Sequence, residues 1–392
     1  MSLLKTWMWD EREQPKLETI QPVSVPYAST SADRAMFREE VFASLLYLER
    51  RRAERAKKRF VLMLVDVKRV IAKPDTKRIL PKFTSALSTA IRETDIIGWY
   101  LADNVIGVIG TELGETKPGA VQDRMLEKVR NAFHEAVGMT KGCTISVTFH
   151  FFPEEWEEGE KDHTANISLY PELSRQEQAK KFALGVKRSM DIVGSASAMI
   201  LMLPIYAAIA VAIKLSSKGP VFFRQERLGL FGKKFTLLKF RSMRTNCDAR
   251  IHQDYVRQFI AGQVEKTAEE GSKAVFKIQQ DPRVTPVGTF LRKTSLDELP
   301  QFWNVLCGEM SLVGPRPPIM YEFRAYNDWH RRRVLEIKPG ITGLWQVQGR
   351  SRLRFDDMVR LDLKYARIWS IWLDLKILVQ TPAAVFTGEG AR

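Results

Sequence analysis

Histidine and cysteine are scarce in this chain, with five His and three Cys among 392 residues. Cys143, Cys247 and Cys307 lie far apart, with no CxxC and no His at metal-ligand spacing. That excludes a disulfide framework and a structural zinc site, and it fits a reducing compartment. So few His also make a His-based catalytic centre a poor first expectation. Acidic residues are in deficit: 46 Asp and Glu stand against 61 Lys and Arg, for a net charge of +15 and a pI near 9.7. Such an excess implies an anionic partner, whether nucleic acid, a membrane surface or a phosphorylated substrate. The opening residues, MSLLKTWMWDEREQPK, lack the basic start and apolar core of a signal peptide. No internal repeat is present. Hydrophobic residues make up 45% and charged residues 27%, which excludes global disorder, and the length leads to two domains.

Residues 1–35 are mixed and Pro-containing and read as an arm. From Ala35 to Lys58 the spacing of apolar residues predicts an amphipathic helix with a basic C-terminal end. FVLMLVDV (60–67) is a near-continuous apolar run with the length and composition of a buried strand. A helix from Pro81 to Arg92, two strands within DIIGWYLADNVIGVIGTE, a helix from Val121 to Ala136 and a strand in CTISVTFHFFP (143–153) follow. The order α-β-α-β-β-α-β describes an α+β domain over 36–153. Six acids fall within the nine residues 154–162, and polar sequence continues to about Lys180, so 154–182 reads as a solvated linker. A second unit covers 183–392.

That unit opens with Lys187 and Arg188, after which Ile192 to Ile213 runs 22 residues without a charge. Spanning a bilayer takes about 20 such residues. Pro204, near the centre, removes a helical hydrogen bond and clashes with the preceding turn. A kinked spanning helix and a re-entrant hairpin are both compatible with it. Lys187, Arg188, Lys214 and Lys218 put positive charge at both ends, whereas a spanning helix shows asymmetry, so the flanks favour a re-entrant helix over 187–215. A buried core helix is the alternative. From Lys214 to Arg250 there are ten basic and two acidic residues, interleaved with phenylalanines. Beside a membrane segment, this reads as a face toward anionic headgroups or phosphates rather than nucleic acid. Near the C-terminus, Tyr365, Trp369 and Trp372 lie in a helix suited either to the membrane interface or to packing on the core.

The densest run of unusual residues is FLRKTSLDELPQFWNVLCGEMSLVGPRPP (290–318). Ser295-x-x-Glu298 has the form of a capping box, and Pro300 allows a helix to begin here. On one reading Asp297 and Glu298 are first-turn acids complementing the helix dipole. On the other they form a working carboxylate pair, because Arg292 and Lys293 lie just upstream and Gly314-Pro315-Arg316-Pro317 is a rigid turn presenting an arginine. Nearby guanidinium groups lower a carboxyl pKa and keep it ionised, as a nucleophile or Mg²⁺ ligand must be.

Residues 183–392 resemble the monotopic phosphoglycosyl transferases, the bacterial polyprenyl-phosphate sugar-1-phosphate transferases. The matching segments, in the family's order, are KRSMDIVGS (187–195), KGPVFFRQERLG (218–229), KFTLLKFRSM (234–243), DPRVTPVGTFLRKTSLDELPQFWNVL (281–306), MSLVGPRPP (310–318) and KPGITGLWQVQGRS (338–351). The resemblance implies a mainly helical monotopic membrane unit on the cytoplasmic face of the bacterial inner membrane, with a re-entrant helix bent at Pro204. One departure is Leu203, which precedes that proline where some members carry Ser. Asp297 would be the nucleophile on the β-phosphate of a UDP-sugar, releasing UMP, and Glu298 would bind Mg²⁺. Arg292 and Arg316 match positions close to the phosphates, and Lys239 and Arg241 would join the same anion cluster. Polyprenyl (undecaprenyl) phosphate would accept the sugar phosphate to begin exopolysaccharide assembly, with UDP-glucose and UDP-galactose as the leading donors.

Residues 36–153 resemble a degenerate GGDEF (diguanylate cyclase-like) domain, of ferredoxin-like, nucleotidyl cyclase type. Asp66 stands where a metal-binding Asp is usual, and Lys68 occupies the second acidic position of that strand. Arg92-Glu93-Thr94-Asp95, five residues, then Leu101-Ala102-Asp103-Asn104-Val105 reproduces the family's RxxD-x5-GGDEF spacing. Leu101 and Ala102 replace the two glycines that let a nucleotide approach, and Asn104 replaces an acid, so cyclase activity is not expected. Arg92 and Asp95 read either as a cyclic di-GMP site or as a surface salt bridge. The large members' four spanning helices are not seen ahead of the transferase segment. A GGDEF-like domain and a basic helix point to a homodimer. The competing function is a membrane-anchored nonenzymatic cyclic-dinucleotide sensor or scaffold, which has no need of Asp297, Glu298, Arg292 and Arg316 together. A nucleic-acid binder leaves the apolar run unexplained.

Overall fold

The computed structural model describes residues 36–68, 79–114, 116–137, 145–153, 166–244, 250–263, 283–349 and 352–386. The first unit follows the expected order: α1 (Glu39–Ala56), β1 (Phe60–Asp66), α2 (Ile79–Ala90), β2 (Ile96–Leu101), β3 (Val105–Gly110), α3 (Pro118–Val137) and β4 (Ser146–Phe152). The four strands form one antiparallel sheet in the order β2-β3-β1-β4, the ferredoxin-like arrangement of β-α-β-β-α-β elements. β1 is apolar from Phe60 to Val65 because both its faces are covered there. Phe60, Leu62 and Leu64 pack with Phe42 and Leu46 of α1. Met63 and Val65, on the opposite face, pack with Phe83 and Leu87 of α2 and Val129 of α3.

Residues 154–165 of the expected linker lie outside the described residues, but its second half is folded. A 3-10 turn (Ile167–Leu169) leads into α4 (Pro171–Ala179). Leu169 and Tyr170 are buried in the α1 face of the first unit, and Glu172 pairs with buried Arg50 while Arg175 pairs with Glu39. The polar composition here marks ion pairs laid over a core, not a solvated tether.

Two helices follow: α5 (Lys181–Leu201) and α6 (Leu203–Ser216). No single described helix is long and apolar enough to cross a membrane; this pair reaches that length and apolar composition only when taken together, and it bends by 60° at Met202. The ring of Pro204 in the first turn of α6 explains the break. Ile200, Leu201 and Leu203 at the bend are exposed. The basic flank of α5, by contrast, turns inward. Lys187 donates to Asp374 at 2.6 Å and to the Val313 carbonyl at 3.0 Å, and Arg188 donates to the Val305 and Leu306 carbonyls at 2.7 Å each. These two cations are structural, so the symmetric-flank reading loses half its charges.

The remainder comprises the hairpin β5 (Phe222–Leu228) and β6 (Lys234–Phe240), then α7 (Arg250–Ile260), α8 (Pro286–Lys293), α9 (Gln301–Cys307) and β7 (Ser311–Val313). After these come α10 (Met320–Arg324), α11 (Asp328–Leu335), β8 (Gly340–Thr342), α12 (Leu344–Gln348), α13 (Phe355–Ile368) and α14 (Ile371–Phe386). β7 and β8 pair in parallel. The expected single C-terminal helix is two, broken at Trp369 and Ser370. Tyr365 is in the core, its hydroxyl donating to Asp374 at 2.5 Å, while Trp372 is exposed. Packing on the core therefore accounts for α13, and an interfacial role is left to the outer face of α14.

Candidate active site

Asp297 and Glu298 sit in a single 3-10 turn, Leu296–Glu298, between α8 and α9. The turn is tight because Ser295 adopts a left-handed conformation (φ 58°) and Pro300 caps α9. The expected capping box does not form: Ser295 makes no side-chain cap, since its backbone is not in the extended geometry an N-cap needs. Leu296 and Leu299 press this turn onto Ile209 and Ile213 of α6 and Leu291 of α8. The Tyr206 hydroxyl donates to the Leu299 carbonyl at 2.6 Å, tying the bent helix pair to the acidic turn.

Lys239 of β6 reaches across to Glu298, Nζ to Oε1 at 2.8 Å. Burial pushes Glu298 upward, but Lys239, Arg316 and Arg227 together outweigh it and hold the carboxyl below its usual range. Asp297 behaves oppositely. Burial dominates and raises its pKa, Lys239 and Arg292 pull it down, and Glu298 adds to the rise. The expectation that nearby arginines hold Asp297 low is thus corrected: it is only 8% exposed, and desolvation wins.

Glu298 opens on a cleft of about 280 Å³ whose lining also includes Arg227, Lys239, Gln301, Arg316 and Gln346, and Asp297 is its buried neighbour in the same turn. Arg316 is exposed on the Gly314-Pro315-Arg316-Pro317 turn, and its carbonyl accepts from Arg333 at 3.2 Å. The turn and β8, which packs against it, each require glycine. A Cβ on Gly314 would lie 2.3 Å from the Lys338 carbonyl oxygen, and one on Gly340 would lie 2.0 Å from the Gly314 nitrogen. Arg227 escaped the sequence reading. It is buried in β5 and donates to the Pro317 carbonyl at 2.8 Å, which fixes the arginine turn from below. Burial draws its guanidinium down to about 10, still protonated at neutral pH. Its signal was present in the segment FRQERLG, whose arginines cannot be ranked by spacing.

Of the expected phosphate binders, Lys239 and Arg316 line the cleft and Arg292 is exposed at the end of α8, close enough to Asp297 to act on its charge. Arg241 is not brought to the cleft. It donates to the Lys218 carbonyl and to the carbonyl and hydroxyl of Ser217, each at 2.8 Å, and so caps α6. With Arg227 and Arg241 both buried, the basic run 214–250 is no continuous surface for nucleic acid. Among the described residues no cluster of three or more His, Cys, Asp or Glu could hold a metal. Mg²⁺, however, is commonly held by one or two carboxylates plus substrate phosphates. The second carboxylate oxygen of Glu298 makes no hydrogen bond among the described residues and fits that mode.

In the first unit, Asp95 accepts from the Arg92 backbone N–H at 3.0 Å, and both residues line a cleft of about 570 Å³ with Arg124 and Lys128. Asp66 is exposed and accepts from the Lys68 backbone at 2.9 Å. The Leu101-Ala102-Asp103-Asn104 turn is pinned by Glu39, which accepts from the Ala102 N–H at 2.7 Å.

Residues 182–388 match the family model described as bacterial sugar transferase. Galactosyl transferase CpsE of Streptococcus agalactiae serotype III is 44% identical over 207 residues, covering 53% of this chain and 43% of that protein. Exopolysaccharide production protein ExoY of Rhizobium meliloti is 40% identical over 205 residues, covering 52% of this chain and 87% of that protein. UDP-glucose:undecaprenyl-phosphate glucose-1-phosphate transferase of Escherichia coli is 40% identical over 217 residues, 41% of its own length. The chain therefore spans less than half of CpsE and of the Escherichia coli protein. Among solved structures, the GGDEF domain of YfiN from Pseudomonas aeruginosa aligns over 31% of this chain and 76% of that chain at 14% identity and a TM-score of 0.26.

Proposed function

The chain belongs to the bacterial sugar transferase family, and from that premise we propose that it moves a sugar-1-phosphate from a UDP-sugar to polyprenyl phosphate at a membrane surface. The observation that carries this reading is the buried Asp297 next to Glu298, which pairs with Lys239 and lines a cleft with Arg227 and Arg316. A carboxylate oxygen of Asp297 attacks the β-phosphorus of the donor, the bond to the bridging oxygen breaks, and UMP leaves with that electron pair. The phosphate oxygen of the lipid acceptor then attacks the same phosphorus, displacing Asp297 as a free carboxylate. Desolvation makes Asp297 a better nucleophile once ionised, and Arg316 and Lys239 offset the charge of the diphosphate. Mg²⁺, when bound, would neutralise the diphosphate, and Glu298 is the residue to hold it.

The donors favoured are UDP-galactose and UDP-glucose, in keeping with the galactosyl and UDP-glucose transferases among its relatives. The exposed apolar bend at Ile200, Leu201 and Leu203, with Phe222 and Phe223 also exposed, gives the re-entrant segment a surface for lipid and brings the site to the acceptor. A panel of UDP-sugars with undecaprenyl phosphate, read by UMP release, tests the reading; no release with any sugar would refute it. A second, independent reading is a cyclic di-GMP site at Arg92 and Asp95, favoured by the cleft they share with Arg124 and Lys128. Calorimetric titration of the full chain, beside an Arg92→Ala control, tests it, and equal heats from the two would discard it.

A further inference from the structure

One side chain in the transferase cleft is used neither by the fold nor by the steps above. Gln301 opens α9 four residues beyond Asp297, is only 4% exposed, and lines the cleft. Among the described residues its amide makes no hydrogen bond, yet it is not among the buried side-chain groups left unsatisfied, so the amide reaches the open cleft. Asn304, three residues on, shows how this helix satisfies an amide whose role is packing. Its Oδ1 accepts from the Leu238 N–H at 3.0 Å, and its Nδ2 donates to the Thr236 carbonyl at 2.7 Å and to Glu309 at 2.6 Å. Gln301 is held as rigidly by burial and is given none of these partners.

We propose that Gln301 is a catalytic residue, donating through Nε2 to a non-bridging oxygen of the phosphoryl group that Asp297 attacks; this rests on the transfer reaction proposed above. The charges around it decide which end of the amide faces the substrate. Arg227, Lys239 and Arg316 line the same cleft, against one carboxylate from Glu298. An amide dipole turns its oxygen toward such a positive wall and presents its NH₂ to an entering anion. In phosphoryl transfer, negative charge spreads over the equatorial oxygens, and a neutral donor can meet it without a further buried charge. The position fits, because Gln301 begins the helix that follows the Asp297–Glu298 turn and shares the cleft with Glu298.

Gln301→Ala and Gln301→Glu, made in the full chain and assayed in membranes with UDP-glucose and UDP-galactose, test this. Loss of one such donor lowers kcat by about 10²–10³-fold. The expected result for Gln301→Ala is a fall of about that size, by the same factor for both sugars, with KM nearly unchanged. Gln301→Glu is expected to fall further, because a carboxylate repels phosphoryl oxygens. The unfolding midpoint of Gln301→Ala is expected to fall only by the packing of the truncated methylenes, since no protein hydrogen bond is lost, and Gln301→Glu, which keeps that volume, separates packing from catalysis. A loss that differs between the sugars, or a Gln301→Glu enzyme near wild type, would assign the amide to a sugar hydroxyl and overturn the proposal. An unchanged kcat in Gln301→Ala would overturn it too. In each of these cases an active wild type leaves the transfer reaction standing, whereas a wild type that releases no UMP removes both.

Discussion

Asp297 and Glu298 are neighbours in sequence, yet their environments push them apart. Burial lifts Asp297, while Lys239 and the arginines hold Glu298 down. Asp297 must be ionised to attack, so the acid limb of the kcat profile is expected above the ordinary carboxylate range. Lys239→Met removes the largest charge opposing that burial and is expected to move the limb to higher pH, which a pH series on membranes will show. Stability follows the same signs. Ionised Asp297 costs stability at neutral pH, and the cost lifts as pH falls through its raised value. Glu298 contributes stability above its unfolded value and loses it as pH falls through its lowered one. Asp297→Asn should therefore abolish turnover and the trapping of labelled phosphosugar while leaving the unfolding midpoint at neutral pH equal or higher. A variant with residual trapping would argue against Asp297 as the nucleophile.

At the scale of elements, α6 is fastened at both ends: by the Tyr206 hydroxyl on Leu299 near its start and by Arg241 on Ser217 and Lys218 at its end. Hydrogen bonds from a charged donor contribute about 1.5–3 kcal/mol each. Arg241→Met is expected to lower the unfolding free energy by about that amount with the donor KM unchanged; a raised KM instead would return Arg241 to the phosphate cluster. The bend of 60° between α5 and α6 places their far ends on one side if the pair is re-entrant. Gly185→Cys, where a Cβ meets nothing within 4 Å, and Lys218→Cys, on an exposed residue, are expected to react with impermeant thiol reagents only from the cytoplasmic side. Labelling of either from the periplasm would instead make the pair a span.

Across the whole molecule, the two units share a core. Leu335 of α11 is buried in the cluster formed by Phe42, Leu46 and Tyr170, with Phe231 packed against it. α11 also carries Arg333, which holds the Arg316 carbonyl, so the element that seats the first unit supports the arginine turn of the cleft. Truncating a buried leucine costs about 2–5 kcal/mol. Leu335→Ala is expected to destabilise by about that amount and to split unfolding into two transitions, followed by tryptophan fluorescence in denaturant. A single transition at the wild-type midpoint would show that the units are not coupled through this residue.

Much of this was legible in residues alone. The α-β-α-β-β-α-β order came from apolar periodicity, and β1 was legible because burial on both faces leaves an unbroken apolar run. The Asp297-Glu298 pair and Arg316 stood out because rigid Gly-Pro turns and adjacent acids are local features. Partnering was not local. Lys187, Arg188 and Arg241 read as membrane or phosphate cations, and only the tertiary structure gave them carbonyls and Asp374 to hold. The pKa of Asp297 depended on its burial in the folded turn, which a count of neighbouring arginines cannot supply. Arg227 and Gln301 became site residues for the same reason: sequence sets which groups a chain carries, while chain packing decides which of them lose water and which are left facing a substrate.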